Sequence, residues 1–184
     1  EALAANPVME QSVLDRLKNG NSLEEIQRLV EEEGAEGLYH LGQLVGCVKR
    51  AHDIDANLSA HVMHENLVSK ASSVLALLNV IHVTGIDRNQ VEYVIDCAEE
   101  ACGDINQRGG GNFAKSAAEI AGLNNASGSD CRAFCAAPAH AMIEAAALVA
   151  SGAYHTVVVT AGGCTAKLGM NGKDHVKKGL PAIE

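Results

Sequence analysis

The sequence predicts an α/β fold in which helices cover a sheet that contains parallel strands. Aromatic residues make up only 3% of the chain and tryptophan is absent, so aliphatic side chains must fill the core, as they do in parallel α/β layers. Extended apolar runs alternate with helical patterns between residues 91 and 163, which indicates strand–helix–strand units with right-handed crossovers. We expect a layered half-domain over residues 56–184, preceded by a helical and hairpin segment over residues 1–55.

The first part of the chain is predicted to form two helices and a hairpin. Residues 8–19 carry apolar side chains at helical spacing. A capping box then begins a second helix: the Ser22 hydroxyl is expected to accept from the amide three residues on, and the Glu25 side chain to reach back. Glycines interrupt the apolar run over residues 37–48, which favours two short strands joined near Gly42 over a helix.

A long helix is predicted next, from a cap at Asn57 or Ser59 to about Val83. Six of its side chains are expected to point inward: Leu67, Val68, Ala71, Val74, Leu75 and Leu78. A strand over residues 91–97 follows, because its Val, Tyr and Ile content fits a buried parallel position. The polar stretch over residues 99–111 is then a long loop, and such loops are usually functional.

Cys135 is the candidate functional residue of the chain. Asn112 caps a short helix, and Asp130 is expected inside the next strand rather than at its tip. Cys135 follows where that strand turns into an alanine-rich helix over residues 136–151, and another strand follows over residues 156–163. Unpaired N–H groups and the positive end of the helix dipole stabilise a thiolate at such a junction. The alternative is that Cys135 is a small buried hydrophobe.

Composition excludes several classes of protein. The net charge of −9 argues against a dedicated nucleic-acid binder. We find no apolar run that approaches the ~20 residues of a membrane span, and no signal peptide. The six cysteines are expected to stay reduced in a cytoplasmic protein. Glu1 is not an initiator methionine, so we expect the true start to lie upstream or to be processed.

Neither a cofactor nor a metal is expected. Gly109, Gly110 and Gly111 superficially match a dinucleotide fingerprint, but about ten residues separate them from the preceding strand, whereas the fingerprint needs a tight turn. The spacings of Cys97, Cys102, Cys131 and Cys135 differ from the paired two-residue spacing of a zinc ribbon. Cysteines that bind no metal therefore explain these spacings better than a zinc site does.

The region around Cys135 resembles the nucleophile region of thiolases and ketoacyl synthases. The matching residues are Asp130, Cys135 to Ala141, Ser151-Gly152, Val157 to Val159 and Gly162-Gly163. The resemblance implies a thiolase-like half-domain in which Cys135 takes an acyl group as a thioester. Thiolases commonly carry Ser-Gly where this chain has Ala137-Pro138.

Longer strings of residues resemble the component C β subunits of glycine/sarcosine/betaine reductase complexes. These strings lie at residues 46–53, 99–104, 106–115 and 166–179. The resemblance implies an oxidoreductase complex of anaerobic amino-acid fermentation, in which a selenoprotein-bound carboxymethyl group becomes an acetyl thioester and then acetyl phosphate. It also implies two partners, the other subunit of component C and the selenoprotein component, in a homo- or hetero-oligomer. Because family members are longer, we expect the base to come from outside this chain and the chain alone to be inactive.

Two other functions remain open at this point. A non-catalytic scaffold subunit of the same complex is favoured by Ala137-Pro138 in place of Ser-Gly. A thiolase or ketoacyl synthase acting on acyl-coenzyme A or acyl-carrier-protein thioesters would instead show isotope exchange with coenzyme A.

Overall fold

The computed structural model describes residues 6–9, 11–15, 20–55, 58–98, 112–164 and 177–179. Within them the chain is a mixed α/β protein with a parallel three-stranded sheet and helices packed beside it, as the sequence predicts. The predicted loop over residues 99–111 lies outside the described residues, and so do residues 168–176 of the basic, glycine-rich loop that the sequence predicts over residues 168–179.

Two helices precede the first strands, α1 (Gln11–Leu14) and α2 (Leu23–Glu32). The described part of the helix predicted over residues 8–19 is thus a single turn. The Ser22 hydroxyl caps α2 by accepting from the Glu25 amide at 3.3 Å. The Glu25 carboxylate does not complete the expected capping box, because it binds the Arg28 guanidinium at 2.8 Å through both oxygens.

An antiparallel hairpin follows, formed by β1 (Glu36–His40) and β2 (Gln43–Val48). The two turn residues, Leu41 and Gly42, have φ angles of 50° and 76°. Positive φ at both central positions is the signature of the type I′ turn, whose twist matches that of the flanking strands. The predicted hairpin is therefore confirmed.

The long helix α3 (Ala60–Thr84) also matches its prediction in length. The Ser59 hydroxyl accepts from the Val62 amide at its start, and Gly85 ends it in the left-handed conformation with a φ of 65°, a geometry that glycine adopts without strain. By length and composition alone α3 could cross a membrane, so the expectation that no apolar run approaches the length of a span is wrong. The core helix of a soluble domain meets the same two criteria, and α3 lines the larger core of this protein.

The predicted inward face of α3 is wrong for most of its residues. Of the six expected side chains only Val74 and Leu78 are buried, whereas Leu67 is 48% exposed. The buried residues are Ala60, Asn66, Ser69, Ser73, Val74, Leu77, Leu78 and Ile81. Because α3 is apolar on nearly all sides, the spacing of its apolar residues does not define which side faces the sheet.

The sheet has β3 (Tyr93–Asp96) at its centre, between β4 (Ser127–Asp130) and β5 (Val157–Thr160), and both neighbours run parallel to it. Helix α4 (Phe113–Ile120) precedes β4, and helix α5 (Ala137–Ala150) lies between β4 and β5. Asp130 is the last residue of β4, so the expectation that it lies inside the strand is wrong. Arg132, two residues on, reaches the end of β3, where its Nη1 binds the Asp96 carboxylate.

Two apolar clusters hold these layers together. The larger one joins α3, α4 and β3, and its buried members are Val74, Leu77, Leu78, Ile81, Val91, Val94, Ala114, Ala117, Ala118, Ala121, Leu123 and Ala126. The smaller one lies beneath α5 and contains Ile95, Cys97, Ala137 and Ala141. Small side chains on α4 and α5 let each helix approach the sheet closely. The other side of α5 exposes Met142, Ile143 and Val149.

Candidate functional site

The candidate site lies at the carboxyl edge of the parallel sheet. Asp96, Asp130 and Thr160 are in register as the last residues of their strands. The chain leaves all three strands at this edge, which is where open parallel sheets usually place their binding residues. Cys135 lies in the segment that leads from β4 to α5.

Asp96 is the most buried charged residue of this edge, with 0% of its surface exposed. Its Oδ1 accepts from the Ser73 hydroxyl at 2.9 Å. Its Oδ2 accepts from Arg132 Nη1 at 2.8 Å and from the Ala98 amide at 3.3 Å. Burial raises the pKa of the Asp96 carboxyl, and the Arg132 cation opposes that rise. The Arg132 cation and the hydrogen bonds from Ser73 and the Ala98 amide therefore favour the ionised carboxylate against the effect of burial.

Arg132 joins the segment after β4 to the end of β3. Besides the carboxylate, its Nη1 donates to the main-chain carbonyls of Asp96 and Ala98, each at 3.1 Å. Its Nη2 lies 3.3 Å from Asp130 Oδ2, although within the described residues neither Nη2 nor Nε makes a well-aligned hydrogen bond. The guanidinium carbon is 5.9 Å from the centre of the Phe113 ring, within the range of cation–π attraction.

Asp130 orients the helix that precedes its own strand. Its carboxylate accepts from the main-chain amides of Phe113 and Ala114 at 3.1 and 2.8 Å. These amides belong to the first turn of α4, where a negative charge is stabilised by the helix dipole. Asn112 caps the same helix by accepting from the Lys115 amide at 2.8 Å, as the sequence predicts.

Cys135 lies in a short 3-10 turn, Phe134–Ala136, directly before α5. Its side chain is exposed, which does not fit the alternative of a buried hydrophobe. Ala136 at the N-cap position provides no side-chain hydrogen bond to the helix. The predicted placement of Cys135 between strand and helix is therefore observed, while its role as a nucleophile stays a prediction.

The two neighbouring cysteines that the structure describes are less exposed than Cys135. Cys97 is buried, and its Sγ donates to the Thr160 carbonyl at 3.3 Å. Burial raises the pKa of the Cys97 thiol, which makes it a poor nucleophile. Cys131 Sγ lies 3.7 Å from the Ala137 carbonyl. In the part of the chain that the structure describes, no three His, Cys, Asp or Glu side chains are grouped as a metal site would require.

The sequence reasoning missed the Asp96–Arg132 pair and the Ser73 hydroxyl that supports it. A usable signal was present, because Asp96 ends an apolar run that was expected to be buried. A buried carboxylate requires a cation or several hydrogen-bond donors. Arg132 lies just after the neighbouring strand, so it was the cation most readily predicted to pair with Asp96.

The fold and the site together define a class: α/β proteins with a cysteine exposed at the carboxyl edge of a parallel sheet, directly before a helix. No family model matches the chain. The chain is similar to the glycine/sarcosine/betaine reductase complex component C subunit beta of Peptoclostridium acidaminophilum, with 59% identity over 182 residues. The match covers 99% of this chain, which confirms the resemblance drawn from the sequence. The chain spans about a third of that relative, 35% of its length.

Proposed function

We propose that this chain is the acyl-accepting segment of a component C β subunit in a glycine, sarcosine or betaine reductase complex. In this proposal Cys135 carries the acetyl group as a thioester. The conversion of a selenoprotein-bound carboxymethyl group into acetyl phosphate belongs to the whole complex, and this segment provides the acyl-transfer part of it. The other component C subunit and the selenoprotein component are the proposed partners, in the cytoplasm.

The chemistry assigned to Cys135 is two successive acyl transfers. Reduction of the carboxymethyl group to the acetyl level, with cleavage of its bond to selenium, is proposed to take place on the selenoprotein component, outside this segment. The Cys135 thiolate then attacks the carbonyl carbon of the activated acetyl group, a C–S bond forms, and the activating group leaves with the electron pair of the broken bond. Inorganic phosphate then attacks the thioester carbonyl, the C–S bond breaks, and acetyl phosphate leaves with the thiolate regenerated. No electrons are exchanged in either transfer. The base that deprotonates the thiol is proposed to lie in the remainder of the subunit.

One observation carries this proposal: Cys135 is exposed and directly precedes the N-terminus of α5. The positive end of a helix dipole favours a thiolate and also stabilises the oxyanion that forms during acyl transfer. Cys97 is buried and Cys131 is half-buried, whereas Cys135 is exposed. This difference in exposure supports Cys135 as the acyl acceptor among the three.

The proposal is tested in the full-length subunit within the complete complex. Labelled substrate is supplied, the reaction is quenched in acid, and the acetylated peptide is identified by mass. Cys135→Ser is expected to abolish both the trapped thioester and the formation of acetyl phosphate. Cys47→Ser is the matched control, because Cys47 lies in the hairpin strand β2, and it should leave both unchanged.

A Cys135→Ser subunit that is still acetylated and turns over normally would contradict the proposal and favour the scaffold function. Isotope exchange between acetyl groups and coenzyme A would instead indicate an ordinary thiolase or ketoacyl synthase. The segment alone, without the rest of the subunit, is expected to form no acetyl phosphate.

A further inference from the structure

We propose that Arg132 is a positioning residue, which holds the turn bearing Cys135 in place through the buried carboxylate of Asp96. This inference rests on the proposed role of Cys135, and it names what keeps that thiol where acyl transfer needs it. We call the contacts of Arg132 with Asp96, Ala98 and Asp130 the Arg132 clamp.

The turn needs such support because its backbone is strained. Phe134, the residue before Cys135, has a φ of 48° although it is not a glycine. Such a conformation persists only when the surroundings hold it. The Phe134 side chain is 75% exposed, so burial of that ring does not stabilise this backbone conformation. The 3-10 turn itself is closed by the hydrogen bond from the Ala136 amide to the Ala133 carbonyl at 3.1 Å.

The Arg132 clamp lies directly before this strained turn. The Cys131 amide donates to the Asp96 carbonyl at 2.8 Å and makes the last ladder contact with β3. Arg132 then reaches back over the end of β3 to one carboxylate oxygen and two carbonyls. A planar guanidinium can donate to several acceptors from one fixed position. The contacts of Arg132 therefore fix the backbone against the end of β3 just before it leads to Cys135.

The clamp is itself anchored on a third element. Ser73 of α3 donates to the other carboxylate oxygen of Asp96. The Ser73 carbonyl in turn accepts from the Thr160 hydroxyl at 3.3 Å. Helix α3, the central strand and the end of β5 therefore all contribute to the position of the carboxylate that Arg132 binds.

The experiment measures alkylation of individual cysteines by iodoacetamide as a function of pH, in the full-length subunit, with each site quantified by peptide mass. The main variant is Arg132→Met combined with Asp96→Asn, because it removes the clamp without leaving a buried charge unpaired. Arg132→Lys is the conservative variant, which keeps a cation beside Asp96 but loses the planar contact with Asp130 and Phe113. Circular dichroism and cooperative unfolding by urea establish that each variant is folded.

In the double variant we expect Cys135 to be alkylated roughly fivefold more slowly at neutral pH, which is the size of effect that a helix terminus exerts on a charge. Its pH profile should move to higher pH. Arg132→Lys should restore part of the rate. The alkylation of Cys47, which is half-buried in β2, and of buried Cys97 should not change in either variant.

Two results would overturn the proposal. One is a folded double variant, or a folded Arg132→Lys variant, in which Cys135 keeps the wild-type rate and profile. The other is a parallel rise in alkylation of Cys97, which would show general loosening of the sheet edge rather than positioning. Failure of the proposed function is distinguishable, because it shows as acetylation of the Cys135→Ser subunit and leaves this alkylation comparison intact.

Discussion

Arg132 and Asp96 meet at 2.8 Å although 36 residues separate them in the chain. The contact connects the ends of two neighbouring parallel strands on the side where Cys135 lies. The carboxylate is completely buried, whereas the arginine is partly exposed. Such a pair is costly to break, because removing one partner leaves the other charge without compensation.

Arg132→Met is expected to destabilise the subunit by about 3–5 kcal/mol at neutral pH, because the buried Asp96 carboxyl would lose the cation with which it is paired. Chemical unfolding by urea, followed by circular dichroism, measures the change. Arg50→Met is the matched control, since Arg50 pairs with Asp53 on the surface, where ion pairs contribute little. Equal losses in the two variants would contradict the assignment of a special role to the buried pair.

The same variant has a defined pH dependence. Burial already raises the pKa of Asp96 in the native protein, and loss of the Arg132 cation should raise that pKa further. A raised native pKa means that the stability contribution is complete below the unfolded pKa and is lost as pH rises through the native one. The loss of unfolding free energy in Arg132→Met should therefore be small near pH ~4 and grow towards neutral pH. A deficit that is constant with pH would refute this account.

Gly162→Ala is expected to destabilise the protein by about 1–3 kcal/mol, as overpacking does. A Cβ atom on Gly162 would lie 2.6 Å from the Ser73 amide nitrogen and 2.7 Å from Ser72 Oγ, so helix and loop would have to separate. Gly163→Ala provides the control, because a Cβ there meets nothing within 4 Å. Thermal unfolding of the two variants side by side decides the matter, and a Gly163 variant that loses as much stability would speak against close packing at Gly162.

Leu77→Ala and Leu67→Ala compare the two sides of α3. Leu77 is 1% exposed and lies in the larger core, so its truncation should cost about 2–5 kcal/mol. Leu67 is about half exposed, at 48%, and its truncation should change stability by less than about 0.5 kcal/mol. Urea unfolding measures both, and the reverse order would show that the helix faces the sheet with its other side.

Glu92→Gln should remove a pH-dependent contribution at the opposite end of the sheet. The Glu92 carboxylate accepts from the amides of His155 and Thr156, and these bonds lower the pKa of the Glu92 carboxyl. A lowered native pKa gives stability that is present above the unfolded pKa and is lost as pH falls through the native one. The wild type should be more stable to unfolding than the variant near neutral pH, and the two stabilities should converge in acid. Unfolding midpoints measured across this pH range would test it, and curves that stay parallel would count against it.

Local patterns were sufficient to predict much of the fold. The cap at Ser22, the turn at Gly42 and the cap at Asn112 each follow from a few adjacent residues, and the structure has all three. The strand–helix junction at Cys135 is equally local. The contacts that hold the site together are not, because Ser73, Asp96 and Arg132 come from three separate elements.

The error in α3 has the same origin. Leucines and valines on every side of this helix offer several equally apolar faces, and propensity cannot choose among them. Small polar residues decide which side of α3 faces the sheet. Ser73 binds Asp96, and Ser69 and Ser72 lie where Gly162 approaches the helix. Sequence rules count serine as an outward residue, so they select the wrong side.

The exposed side of α5 has a practical consequence for handling this piece of polypeptide by itself. Apolar side chains are exposed to water there, namely Met142, Ile143, Val149 and the ring of Phe134 beside Cys135. Molecules with such surfaces tend to stick to one another as concentration rises, and kosmotropic salts such as sulfate strengthen the effect. Preparations of the isolated segment should therefore be kept dilute and low in such salts, and any loss of thiol reactivity in them should be compared with the size of the particles in solution.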